Sequence, residues 1–197
     1  MKKIFITLWL SAIFVVIGCL FWYNDYKYNL PTPVPVNYQQ VPIGSRIQLH
    51  PAIKMEENKP VMLHFFNPDC PCSKFNIQHI KKLVKQYDKQ VNFVVVLSDQ
   101  KLNSAEVKRK LELPITVITD PIMSKKCGIY STPQAVIIDT ESKLYYRGNY
   151  NSSRYCSNQK TEYARIALEN ILNHKPLREM GSQALIAYGC SLPTNLK

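Results

Sequence analysis

Val61-Met62-Leu63-His64-Phe65-Phe66-Asn67-Pro68-Asp69-Cys70-Pro71-Cys72 is the stretch that decides the architecture. Val61 to Phe66 is a short, nearly continuous apolar run, the pattern of a central strand covered on both faces. Asn67-Pro68-Asp69 signals a turn. From Ser73 the periodicity becomes helical, with Ile77, Ile80, Leu83, Val84 and Tyr87 on one stripe and Lys and Gln between them. A strand feeding a helix through a tight corner therefore presents two thiols, Cys70 and Cys72, where the helix begins.

Working outward, Val91 to Leu97 reads as the next buried strand, closed by Ser98-Asp99. Ser104 to Leu111 is a short charged helix capped by Asn103 or Ser104. Ile115 to Ile118 is a brief β-branched segment ahead of an Asp120-Pro121 turn. Gln134 to Asp139 and Lys143 to Arg147 form a hairpin about Thr140-Glu141-Ser142, and Thr132-Pro133 stands just before it. Glu162 to Asn173 carries Tyr163, Ile166, Ala167, Asn170 and Ile171 in helical spacing. The sum is an α/β domain whose mixed sheet has a parallel and an antiparallel half.

Upstream, Lys2 and Lys3 precede an uncharged apolar run, residues 4–23, long enough at 1.5 Å per residue to cross a hydrocarbon core of ~30 Å. Residues 1–27 are expected to be a transmembrane anchor or signal anchor. The leading basic pair favours leaving that end in the cytoplasm and exporting the rest, so the expectation is a single pass through a bacterial inner membrane with the domain facing the periplasm or cell exterior. Val16-Ile17-Gly18-Cys19 also looks like a lipobox, so a lipoprotein anchored at Cys19 is the alternative; the apolar run continuing through Leu20-Phe21-Trp22-Tyr23 speaks against it. Residues 28–45, with Pro31, Pro33 and Pro35, read as a stiff extended spacer. The domain is expected over 46–175 and a tail packed on it over 176–197.

The chain of 197 residues has 46% apolar residues, enough for a true core and too many for disorder. Its net charge of +11 is spread mostly as Lys over helix faces, without the Arg and aromatic interleaving of a base-reading surface, so nucleic acid is not an expected partner. Only 6 Gly, with no phosphate-binding loop motif, argues against a nucleotide site, and no Ser-His-Asp pattern is evident.

The corner Phe65-Phe66-Asn67-Pro68-Asp69-Cys70-Pro71-Cys72 resembles that of thioredoxin-fold thiol:disulfide proteins. Cys127-Gly128-Ile129-Tyr130-Ser131-Thr132-Pro133-Gln134-Ala135-Val136-Ile137-Ile138-Asp139 resembles their second half. The likeness spans roughly residues 60–173. It is strongest to membrane-tethered bacterial thioredoxin-like proteins that service extracytoplasmic thiols, within a branch carrying the Asn-Pro-Asp-Cys-Pro-Cys string. It implies a thioredoxin-like fold, a sheet of four to five strands flanked by helices, a cis peptide at Thr132-Pro133 opposite Cys70, and backbone pairing of Thr132 with an extended substrate.

The implied chemistry is thiol:disulfide exchange with protein thiols or disulfides and no cofactor, Cys70 acting as nucleophile and Cys72 as resolving thiol. A Cys at a helix N-terminus has its thiolate favoured by unpaired N–H groups and the helix dipole. One departure stands out: the family spacing is Cys-X-X-Cys, which places Ser73 where the second Cys belongs. A Cys70–Cys72 ring would be small, strained and oxidising. The alternatives are a Cu(I) chaperone using the two thiols with His64 or His79, and a catalytically silent interaction domain. His64 reads as a core imidazole and His79 as exposed. A peroxidase would need a hydroxyl before Cys70 that Asn67-Pro68-Asp69 lacks. Cys127 is either an auxiliary redox thiol or a buried hydrophobe. Cys156 and Cys190 are expected to form a structural disulfide, closing ~34 residues and contributing on the order of 3–4 kcal/mol.

Overall fold

β1 (Val61–Phe65) lies at the centre of a five-stranded sheet. It pairs in parallel with β2 (Asn92–Leu97) and antiparallel with β5 (Gln134–Ile138). β3 (Thr116–Thr119) extends the parallel half, and β6 (Leu144–Gly148) extends the antiparallel half, giving the order β3-β2-β1-β5-β6. Every residue of β1 and β5 is buried, which explains runs with no polar alternation. This computed structural model describes residues 2–177 and 180–193.

The two faces of the sheet carry separate cores. Met62, Phe66, Val95, Leu97, Ala135 and Ile137 face α2 (Pro71–Tyr87), α3 (Ser104–Leu111) and α5 (Tyr163–Leu172). The stripe Ile80-Leu83-Val84-Tyr87 of α2 supplies the largest helical share of that layer. Val61, Leu63, Phe65, Val94, Val96, Val136 and Ile138 point the other way, onto α4 (Pro121–Cys127) and onto Ile47 and Ile53 of the segment preceding β1. The period-two alternation along β1 thus feeds both layers.

Several expectations at element ends are revised. α2 begins at Pro71 rather than Ser73, because Pro at the first helical position has φ already set for a helix and lacks only an N–H that would have been unpaired. Asp120-Pro121 is no turn but the start of α4. The Asp120 carboxylate accepts from the Ile122 and Met123 amides at 2.9 and 3.2 Å, and Gly128, at φ +67, ends the helix in the left-handed region. Asn103, not Ser104, caps α3, accepting from Ala105 and Glu106.

α1 (Lys2–Asn24) runs unbroken through Cys19 and buries none of its residues; it is long and apolar enough to cross a membrane. The Pro-rich segment after it makes contacts with the domain. Thr32 is buried and its amide donates to Ala187 O at 2.8 Å, and Tyr38 donates to Gly128 O at 3.1 Å. Extended, proline-stiffened backbone leaves its free amides and carbonyls open for sheet-like pairing, and here Pro31 bridges Tyr188.

One anchor of the tail is Asn149, just after β6. Asn149 donates from its amide nitrogen to Gln183 O and Ile186 O, and its backbone N–H donates to Ala184 O, fixing α6 (Ser182–Leu185). The chain then forms β7 (Cys190–Ser191), which pairs antiparallel with β4 (Ser131–Thr132). The last residues of the expected tail, 194–197, lie outside the described residues.

Candidate active site

The corner before α2 is built by Asn67. Its side-chain oxygen accepts from the Asp69 amide at 2.9 Å and its backbone carbonyl from the Cys70 amide at 3.1 Å, so the chain turns sharply and delivers Cys70 as the N-cap of α2. The Asn67 amide donates in turn to the buried Ser73 hydroxyl at 3.4 Å. Ser73, standing where a second thiol was expected by family spacing, therefore serves the turn. The Thr132-Pro133 peptide is cis and lies against this corner, with Cys70 Sγ 3.4 Å from Thr132 O.

Cys70 is disulfide-bonded to Cys190, 120 residues away in sequence, with Cα atoms 5.9 Å apart. With no proton left on either sulfur, the approach of Sγ to Thr132 O is a packing contact and not a hydrogen bond. The expected Cys156–Cys190 staple is thereby corrected. Pairing of β7 with β4 sets Cys190 directly opposite Thr132, while Cys156 is held on α2 by the Asn76 amide group, which donates to its sulfur at 3.1 Å. A Cys70–Cys72 ring is likewise absent here; Cys72 keeps its thiol.

Cys72 lies on the first turn of α2, 2% exposed, and lines a cavity of ≈ 160 Å³ with Asn76, Tyr150, Arg154 and Cys156. Burial pushes the Cys72 thiol above its ordinary pKa, and the positive charge of the nearby Arg154 guanidinium pulls the other way. Arg154 also pairs with Asp25, just beyond α1, and stacks near Tyr28, Phe75 and Tyr155. Cys156 is pushed up to about 11 by burial, against the pull of the Asn76 hydrogen bond. Neither Arg154 nor Tyr150 was singled out by sequence. They occupy an irregular loop with no motif, and only folding carries them to the start of α2.

Beneath the cavity sit two buried imidazoles. His64 Nδ1 lies 2.7 Å from the Tyr150 hydroxyl, and burial followed by the neighbouring His79 pushes its pKa down to about 3. His79, expected to be exposed, is only 6% so, because α2 turns it inward toward Tyr150 and Glu162; burial lowers its pKa, against the pull of Glu162. For Cu(I), the bond to Cys190 withholds the Cys70 sulfur, and among the described residues no three His, Cys, Asp or Glu side chains converge as a ligand set. Cys127 is fully buried in the core on the opposite face of the sheet from α2, its thiol pushed up to about 12 by burial, so it packs as a hydrophobe and is not an auxiliary thiol of this site.

A mixed five-stranded sheet with its Cys at the start of the first helix after the central strand, opposite a cis-proline, is a thioredoxin-like fold. Solved structures agree. The chain is similar to an uncharacterized conserved protein from Geobacillus kaustophilus, at 23% identity and TM-score 0.66, covering 84% of this chain and 100% of that one. It is also similar to a hypothetical protein from Sinorhizobium meliloti, at 17% identity and TM-score 0.62, covering 78% and 95%. A third likeness is to the C-terminal domain of a protein assigned as a thiol-disulfide oxidoreductase from Bacteroides thetaiotaomicron, at 14% identity and TM-score 0.52, covering 68% and 97%. The chain belongs to the family described as Domain of unknown function (DUF6436), whose model matches residues 40–191. No curated protein matches it.

Proposed function

We propose that this chain is an extracytoplasmic thiol:disulfide exchange protein, tethered by α1, whose reacting sulfur is that of Cys70. The observation that carries this reading is the place of the Cys70 disulfide: on the N-cap of α2, against the Thr132-Pro133 peptide. Released as a thiolate there, Cys70 meets unpaired helical N–H groups and the positive end of the helix dipole, which make it both a good leaving group and an attacking group at neutral pH. In a mixed disulfide between Cys70 and a client protein, Cys72 resolves: its thiolate attacks Cys70 Sγ, a Cys70–Cys72 bond forms, and the client sulfur leaves with the electron pair of the bond that breaks. Arg154 favours the thiolate form of Cys72 that this step needs.

The test is turnover of a fluorogenic glutathione disulfide, with dithiothreitol as electron donor, by the full chain in detergent. Cys70→Ser is expected to reduce the rate at least about a hundredfold, as loss of a covalent nucleophile does. Cys72→Ser combined with Cys190→Ser, so that neither thiol resolves it, should instead let a Cys70–glutathione adduct accumulate once dithiothreitol is removed, visible by mass. Wild-type turnover no faster than that of Cys70→Ser sinks the enzyme reading and leaves a silent interaction domain.

A further inference from the structure

The segment that supplies Cys190 sits in a slot with two edges. On one side β7 pairs with β4, Cys190 opposite Thr132 and Ser191 opposite Ser131, and the Leu192 amide donates to Tyr130 O at 3.0 Å. On the other side Pro31 bridges Tyr188, the Thr32 amide donates to Ala187 O, and the Thr32 hydroxyl lies 2.9 Å from the Ser131 hydroxyl and within 3.3 Å of Gly189 O. The slot is therefore closed laterally by backbone that follows the apolar helix. Its floor is Cys70, which this occupant leaves 1% exposed.

At Gly189 the fit is closest. Its φ is +136, and a Cβ there would stand 2.2 Å from Thr132 O, so the residue before the cysteine must be glycine for the strand to seat. The occupant thus has a readable signature: extended backbone, Gly immediately before Cys, and pairing on both edges.

We propose that Tyr188–Leu192 is a built-in stand-in for the client, and that the slot between Thr132 and Thr32 binds extended Gly-Cys segments of partner proteins once this segment has been displaced. This rests on the exchange reading above. Opening needs a dithiol, whose first thiolate attacks the sulfur of Cys190, the less buried residue of the bonded pair. The Cys70–Cys190 bond breaks, its electron pair going to Cys70, which leaves as a thiolate at the N-terminus of α2. The second thiol of the dithiol, deprotonated, then displaces Cys190. The dithiol ends oxidised to a disulfide, Cys70 and Cys190 end as thiols, and β7 is free to leave the slot.

The experiment uses the full chain in detergent with Cys72→Ser and Cys190→Ser, so that Cys70 neither resolves nor re-forms its bond. The probe is the pentapeptide Tyr-Gly-Cys-Ser-Leu activated as its mixed disulfide with thionitrobenzoate; chromophore release gives the rate and mass the adduct on Cys70. Adding Gly189→Ala, which keeps the segment from seating, is expected to speed adduct formation at least about tenfold, since several backbone hydrogen bonds are lost. Leu192→Pro, which removes the donor to Tyr130 O, should act in the same direction without crowding Thr132. In the unseated variants Tyr-Gly-Cys-Ser-Leu should outpace Tyr-Val-Cys-Ser-Leu by about tenfold or more, the cost of a side chain clashing with Thr132 O. Equal rates with and without both unseating changes, or equal rates for the two peptides, overturn the inference while leaving exchange at Cys70 intact. No adduct on Cys70 in any variant defeats the exchange reading itself, and the stand-in with it.

Discussion

Arg154 is the residue on which Cys72 depends. Its guanidinium pairs with Asp25, lies over the ring of Tyr155 and lines the same cavity as Cys72, so its charge is felt at the thiol. Replacing it by Met should raise the pKa of Cys72 further. Following iodoacetamide labelling of Cys72 by peptide mass against pH, we expect the midpoint to move to higher pH than in wild type; an unmoved or lowered midpoint would exclude Arg154 as the group that favours the thiolate. His64 offers a second residue-level test. The unfolded chain takes up a proton there near pH 6.5, whereas the folded chain does so only near 3. The stabilisation is therefore complete above about pH 6.5 and lost as pH falls toward 3, with a slope of about 1.4 kcal/mol per pH unit. Urea unfolding at pH 7 and pH 5 should differ by about 2 kcal/mol from His64 alone, and His64→Gln should remove that share.

Among the elements, α4 shows how little sequence is needed to start a helix when a cap is present. Asp120 satisfies two otherwise unpaired amides and places a carboxylate at the positive end of the helix. Asp120→Ala should cost about 1 kcal/mol in urea unfolding, with no effect on exchange at Cys70, which lies on another helix. α2 carries more. Ile80 is fully buried between α2 and the sheet, so Ile80→Ala should cost about 2–5 kcal/mol by leaving a cavity, measured the same way. A cost under about 1 kcal/mol would mean that the α2 layer collapses to fill the space, contrary to a close-packed core.

At the scale of the whole molecule, the apolar helix, the Pro-rich segment and the slot over Cys70 form one connected path. α1 leads to Asp25, which pairs with Arg154 beside Cys72, and then to Thr32, which borders the slot. If α1 places the domain outside the cytoplasm, alkaline phosphatase fused after Asn29 should be active in cells, because that enzyme folds with its disulfides only in an oxidising compartment. Loss of the phosphatase signal would put the domain on the reducing side, where exchange of the kind proposed would run against the thiol pool.

By itself, the sequence determined the thioredoxin-like core and the position of Cys70. Apolar runs without alternation and the helical stripe from Ile77 to Tyr87 are local signals, each contained in a few consecutive residues, and Thr132-Pro133 reads as a landmark through the family resemblance. Even the start of α4 was written in Asp120-Pro121, though it reads equally as a turn. The partner of Cys70 was not legible. Choosing Cys190 over Cys72 or Cys156 depends on β7 pairing with β4 and on Asn149 holding α6, contacts between segments far apart in the chain whose short strands have no periodicity to announce them. The same holds for Arg154 and the inward turn of His79. Local pattern fixes which residues form strands and helices, and tertiary packing decides which sulfur faces which.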